Sequence, residues 1–209
     1  MIDLSICYVV GAGECKKLDF IPGNDDLIIA SDGGLEHLEK CGIKPDIIIG
    51  DFDSLCKNPQ GENVIRLKPE KDITDMDAAV KVGIEKGYEE FKLYGALGGR
   101  LDHTLSCLGI LENVNKAGGF ALITDGKNRA RYLRNTSELI ARSDFRYFSL
   151  IAVDPVVKGV SIEGGKYPLK NATLRREHQF AVSNEVDGNC ALVTVRRGAV
   201  ILIESSDKN

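Results

Sequence analysis

Along the first 125 residues, short apolar runs alternate with stretches whose apolar positions recur every three to four residues. Runs at 5–10, 27–30, 47–49, 64–67, 91–94 and 121–124 are almost wholly apolar, the signature of strands covered on both faces. Between them, residues 74–86 place Met76, Ala79, Val80, Gly83 and Ile84 on one helical stripe. Residues 100–116 place Leu101, Leu105, Leu108 and Leu111 on another. An earlier helix runs to about Lys40, with Gly42 as its natural C-cap. The order helix, glycine, apolar strand recurs three times, which predicts crossover units and a mostly parallel sheet.

Past Asp125-Gly126 the period changes. Strand-like runs at 129–133, 146–153, 156–162, 179–182, 190–195 and 200–203 are separated by hairpin-type turns at Gly164-Gly165 and Asp187-Gly188. No amphipathic helix interrupts them. The expected architecture is an N-terminal α/β domain at 1–125 followed by a C-terminal antiparallel β-sandwich at 126–209, with no low-complexity linker.

Composition narrows the function classes. The 209 residues are 43% hydrophobic and 28% charged, with a formal net charge of -4. A general nucleic-acid binder would be basic, so no nucleic-acid partner is expected. No run of 18 apolar residues exists to span a membrane. The N-terminus lacks a basic region before an apolar stretch, so a cytoplasmic location is expected. The cysteines at 7, 15, 41, 56, 107 and 190 form no C-x-x-C pair, which argues for reduced thiols and against a zinc site.

Ligands of an open parallel sheet bind beyond the C-terminal strand ends. There the chain places Asp32-Gly33-Gly34, then Gly50-Asp51-Phe52-Asp53-Ser54, then Asp72-Ile73-Thr74-Asp75, then Gly98-Gly99-Arg100-Leu101-Asp102-His103. Clustered carboxylates repel one another, and a divalent cation relieves that repulsion. Hard oxygens favour Mg²⁺, which uses one or two carboxylates together with substrate phosphates. Asp51 and Asp53, two apart, are expected to point to one side. Glycines let backbone N–H groups approach phosphate oxygens, and Arg100 adds a bidentate phosphate clamp. Together these features describe phosphoryl-type transfer.

Each piece alone has a plainer reading. Asp72 with Asp75 reads as a helix N-cap and its partner, and Asp32 as a cap for the helix after it. Arg100 and Asp102 read as first-turn surface residues, and His103 as a packed or solvated histidine. Gly11-Ala12-Gly13 lacks both G-x-G-x-x-G and Walker A spacing and reads equally as a tight turn. What the plain readings explain badly is four such loops on one sheet edge.

In order and spacing, the four loops resemble the thiamine pyrophosphokinase family, and Ser183-Asn184 resembles its C-terminal part. The resemblance implies an α/β domain with a β-sandwich, a homodimer, and transfer of pyrophosphate from ATP to thiamine. It implies Mg²⁺ on Asp51, Asp53 and Asp72, with Asp75 close by. Arg100 and Asp102 would hold the phosphate and ribose end or assist catalysis, and Asp32 would line the nucleotide site. Around them, Gly33, Gly34, Ser54, Thr74, Gly98, Gly99 and His103 complete the expected nucleotide contacts. Ser183 and Asn184 would approach thiamine. Some family members stack thiamine on a tryptophan of the final strand; this chain has no Trp and carries Ile201-Leu202-Ile203-Glu204 there. The rival readings are a related pyrophosphokinase acting on a hydroxymethylpterin, a non-catalytic nucleotide-binding module, and an interaction-only sandwich.

Overall fold

The computed structural model describes residues 5–15, 17–52, 59–68 and 73–207. The chain divides into two compact units, Met1–Gly126 and Lys127–Asn209. Among the described residues, no helix is long and apolar enough to cross a membrane.

The first unit is built from strands β1 (Ile6–Val10), β2 (Leu27–Ser31), β3 (Ile47–Gly50), β4 (Val64–Arg66), β5 (Glu90–Tyr94) and β6 (Phe120–Thr124). Helix α1 (Gly34–Lys40) follows β2, α2 (Asp75–Glu85) follows β4, and α3 (Leu101–Lys116) follows β5. The strands lie in the order β6-β5-β1-β2-β3-β4, each paired parallel to its neighbour. The chain therefore winds outward from β1 through β2, β3 and β4, then returns to lay β5 and β6 on the other side of β1. The order reverses between β1 and β5, the place where open α/β sheets open a crevice at their C-terminal ends.

Burial explains the apolar strands. Val9, Val10, Ile29, Ala30 and Leu93 have no exposed surface, because helices cover both faces. On one face Leu38 of α1 joins Tyr8, Val10, Ile28, Ala30 and Tyr94. Burying a side chain like Leu38 contributes about 2 kcal/mol. The close approach of α1 depends on Gly34, where a Cβ would sit 1.8 Å from the Val10 carbonyl oxygen. Gly42 follows the C-cap Cys41 in the left-handed region (φ 67°), as its position past the helix predicts. On the opposite face α2 lays Gly83 against Cys7 and Phe91.

Two helical expectations need correction. In α3 the buried stripe is Cys107, Ile110, Leu111 and Val114, whereas Leu101 and Leu105 are 70% and 58% exposed. The leucine spacing is helical, but among the described residues nothing covers Leu101 and Leu105 in the first two turns. The N-cap of α2 is Thr74, whose Oγ1 accepts the Asp77 N–H at 3.2 Å, so the capping role given to Asp72 falls to its neighbour two residues on.

The second unit contains β7 (Asn128–Arg134), β8 (Ser137–Ala141), β9 (Tyr147–Ala152), β10 (Val156–Glu163), β11 (Leu169–Arg175), β12 (Asn184–Glu185), β13 (Cys190–Arg197) and β14 (Ala199–Ser205). They form two antiparallel layers, β12-β9-β14-β7 and β11-β10-β13-β8. Phe148, Leu150, Val200 and Leu202 of the first meet Val157, Val160, Ile162, Val193 and Val195 of the second in one sandwich core.

The expected strand at 179–182 does not form. Its residues run beside β9 through isolated bonds: Leu150 N–H donates to the Ala181 carbonyl at 2.8 Å, and the Gln179 side chain bonds both backbone groups of Ala152. A side chain thus occupies positions a ladder would need.

Candidate active site

A pocket of about 290 Å³ opens beyond the C-terminal ends of β1, β2 and β5. Its wall brings together Gly11, Ala12 and Gly13 after β1, and Ser31 at the end of β2 with Asp32 after it. Thr74, Asp75 and Met76 enter from the start of α2. The loop after β5 adds Gly95, Ala96, Gly98, Gly99 and Arg100, and α3 adds His103 and Cys107.

The expected residues Asp32, Thr74, Asp75, Gly98, Gly99, Arg100 and His103 are therefore in one wall. Among the described residues Gly33, Gly34, Asp51 and Asp102 are outside it. Gly34 serves the packing of α1, and Gly33 faces Ala12, whose Cβ would lie 2.9 Å from an added one. Asp53, Ser54 and Asp72 lie outside the described residues.

Asp32 adopts a left-handed backbone (φ 47°) and does not cap α1; the N-cap is Gly33, without a side-chain cap. The Asp32 N–H donates instead to the Ile49 carbonyl at 2.8 Å. This bond ties the end of β2 to that of β3, and Gly50 lies close enough that its Cβ would be 3.2 Å from the Asp32 Cα. Asp51, half-buried, is the next residue. Phe52 then turns left-handed (φ 63°), an outlier for a bulky residue that costs about 1–3 kcal/mol. Its ring is 6% exposed and lies under the Arg66 guanidinium, 5.1 Å from the centroid. The backbone thus leaves the extended conformation at Phe52.

Arg100 grips Asp102 in a bidentate pair, Nε to Oδ1 at 3.1 Å and Nη2 to Oδ2 at 2.6 Å. Asp102 also accepts the His103 N–H at 2.9 Å. The Arg100 guanidinium holds the Asp102 carboxyl at about 2, well below the usual carboxylate range. That makes Asp102 a poor proton acceptor and a good orienter of Arg100. Both side chains remain more than half exposed, leaving the guanidinium edge accessible to a phosphate. At the pocket floor Met76 and Cys107 are buried, and burial pushes the Cys107 thiol up to about 11.

Gly11-Ala12-Gly13 was under-read in the sequence. The Gly11 N–H donates to the Tyr94 carbonyl at 2.8 Å and the Gly13 N–H to the Gly95 carbonyl at 2.9 Å. This pairing continues the β1–β5 ladder into the loops and makes them one wall. The readable signal was a glycine at each end of that contact: Gly95 is left-handed (φ 61°), and a Cβ there would lie 2.2 Å from the Gly11 carbonyl oxygen. Gly95→Ala is accordingly expected to destabilise the protein by about 2 kcal/mol or more and to weaken nucleotide binding. Urea denaturation and a nucleotide titration measure the two losses; an unchanged midpoint with unchanged affinity would contradict the wall assignment.

In the sandwich unit Ser183 is exposed and left-handed (φ 55°), its N–H donating to Ser149 Oγ at 3.0 Å. Asn184 is 4% exposed and already committed: it accepts from Tyr167 N–H and Glu185 N–H and donates to the Tyr167 carbonyl.

Two family models match the chain. That for "Thiamin pyrophosphokinase, catalytic domain" covers residues 21–120, and that for "Thiamin pyrophosphokinase, vitamin B1 binding domain" covers residues 136–200. The thiamine pyrophosphokinase of Bacillus subtilis (strain 168) is 27% identical over 210 residues, 95% of this chain and 98% of its own length. The solved thiamin pyrophosphokinase of Geobacillus thermodenitrificans superposes with a TM-score of 0.85 at 29% identity, covering 98% of this chain and 99% of that one. The solved Bacillus subtilis structure gives 0.85 at 26% identity, covering 98% and 100%.

Proposed function

The chain belongs to the thiamin pyrophosphokinase family, and on that premise we propose that it transfers the pyrophosphoryl group of ATP to the hydroxyl of thiamine, giving thiamine diphosphate and AMP. The observation that carries the reading is the pocket at the β1–β5 reversal, where glycine loops, two carboxylates and an arginine share one wall.

The thiamine oxygen attacks the β-phosphorus in line and the bond to the α-phosphate oxygen breaks. The hydroxyl proton leaves with a base, and AMP departs. Arg100, aimed by Asp102, neutralises charge growing on the bridging oxygens. Asp75 lies in the wall and is the better placed proton acceptor, since Asp102 is held strongly acidic by its arginine.

The donor set suits Mg²⁺. Asp32 and Asp75 offer hard oxygens in the wall, and Asp51 follows the residue packed on Asp32. Among the described residues no three His, Cys, Asp or Glu gather to hold a metal alone. A magnesium ion characteristically completes its shell with the phosphates of its substrate. Asp51, with Asp53 and Asp72, would hold it. When bound, it would neutralise phosphate charge and fix the triphosphate for in-line transfer. The reading extends to a cytoplasmic homodimer with thiamine near Ser183, which rests on the family.

The test is an assay with ATP, Mg²⁺ and thiamine, with hydroxymethylpterin as the control acceptor. Thiamine-dependent AMP and thiamine diphosphate, abolished by EDTA, are the expected products. ADP in place of AMP, or AMP only with the pterin, would overturn the proposal.

A further inference from the structure

The Gly11-Ala12-Gly13 wall is held on its second side by a residue outside the pocket. His37 lies in the middle of α1, and its Nε2 is 3.0 Å from the Gly13 carbonyl oxygen in a half-buried setting. A carbonyl only accepts, so Nε2 carries the hydrogen in this contact whatever the charge on the ring. The described residues contain no cis peptide. In a trans peptide the C=O and the following N–H point in opposite directions. With the Gly13 carbonyl turned to α1, the Glu14 N–H of the same peptide unit is turned away from α1. Glu14 packs its stem against Gly98, whose added Cβ would lie 3.2 Å from the Glu14 Cβ, Cγ and Cδ. Gly13 and Gly98 both line the pocket.

We infer that His37 is a positioning residue: by holding the Gly13 carbonyl, it fixes the 13–14 peptide with its N–H toward the phosphate chain of the bound nucleotide. Gly13 N–H is already used by the Gly95 carbonyl. The orientation of the next peptide therefore decides whether the loop offers a donor or a repelling carbonyl to an anion. Without His37, that peptide is free to turn its carbonyl inward. The inference rests on the nucleotide reading of the pocket, and not on which acceptor takes the pyrophosphate.

The test compares His37→Asn and His37→Gln. The Gln amide nitrogen sits three bonds from Cβ, as Nε2 does in His, and can still donate to the Gly13 carbonyl; the Asn amide stops short. For His37→Asn, the KM for ATP and the dissociation constant of a non-hydrolysable ATP analogue, titrated without thiamine, should each rise about five- to tenfold. The KM for thiamine should not change, and kcat should change by less than about twofold. His37→Gln should restore nucleotide affinity to near wild type. Equal affinity in all three proteins would overturn the role, as would equal weakening in both variants. Wild-type protein that binds the analogue but forms no AMP would sink the proposed reaction while leaving His37 to be judged on binding; wild-type protein that binds no nucleotide sinks both.

Discussion

Asp51→Asn is expected to lower turnover by on the order of a hundredfold or more with the fold retained, the scale of losing one charged contact to a transition state. The position follows from the backbone. The N–H of Asp32 is bonded to Ile49, Gly50 packs against the Asp32 Cα, and Asp51 comes next. Asp51 thus stands at the end of β3, next in the chain to the residue that packs on Asp32 of the pocket wall. Asn keeps the shape and one acceptor but loses the charge that attracts a divalent ion. The apparent requirement for Mg²⁺ should rise along with the loss of kcat, and far-ultraviolet circular dichroism should be unchanged. Turnover close to wild type at saturating Mg²⁺ would remove Asp51 from the proposed metal site.

Glu204→Ala is expected to destabilise the sandwich unit by about 3–5 kcal/mol, because it strands buried positive charge. Glu204 is 1% exposed. Its Oε1 accepts from Arg129 Nη2 at 2.7 Å, and its Oε2 from Arg129 Nε at 2.7 Å and Arg131 Nη1 at 2.5 Å. Arg131 also reaches Glu138 at 2.9 Å, joining β7 of one layer to β8 of the other. Burial pushes the Glu204 carboxyl up, but the Arg129 and Arg131 guanidiniums outweigh it and hold the group below its ordinary value of 4.5. The sign follows from that depression. The network's contribution is complete above the unfolded value and is lost as pH falls through the lower folded one. Urea denaturation at pH 7 should show the deficit of Glu204→Ala, and the gap to wild type should close in acid. A gap that persists unchanged at the lowest pH the fold tolerates would contradict the electrostatic account.

The first unit was legible because its physics is local. A strand covered on both faces must be nearly all apolar, so β1, β2 and β3 announce themselves, and loops at their ends follow by counting. The strand order was less visible, since nothing in the residues says that β5 pairs with β1 rather than extending beyond β4. That reversal is what raises Gly11-Ala12-Gly13 from an ordinary turn to a pocket wall. In the second unit, β8 and β11 were missed. Both are edge strands, with Ile140 and Leu174 their only buried residues, and their polar surface hides the alternation. The run at 179–182 failed the other way: Phe180 and Val182 look strand-like but are 44% and 46% exposed. In the final strand Glu204 is buried against two arginines, a pairing that no apolar pattern announces.

Cys107 carries a practical consequence. A thiol whose proton leaves near 11 is ionised to only about one part in ten thousand at neutral pH, and only the thiolate attacks electrophiles. Alkylating reagents should therefore modify this side chain slowly, and a nucleotide bound as proposed would slow them further. The rate of labelling at this one sulfur, read by mass spectrometry, would report access to the crevice without introducing any foreign probe.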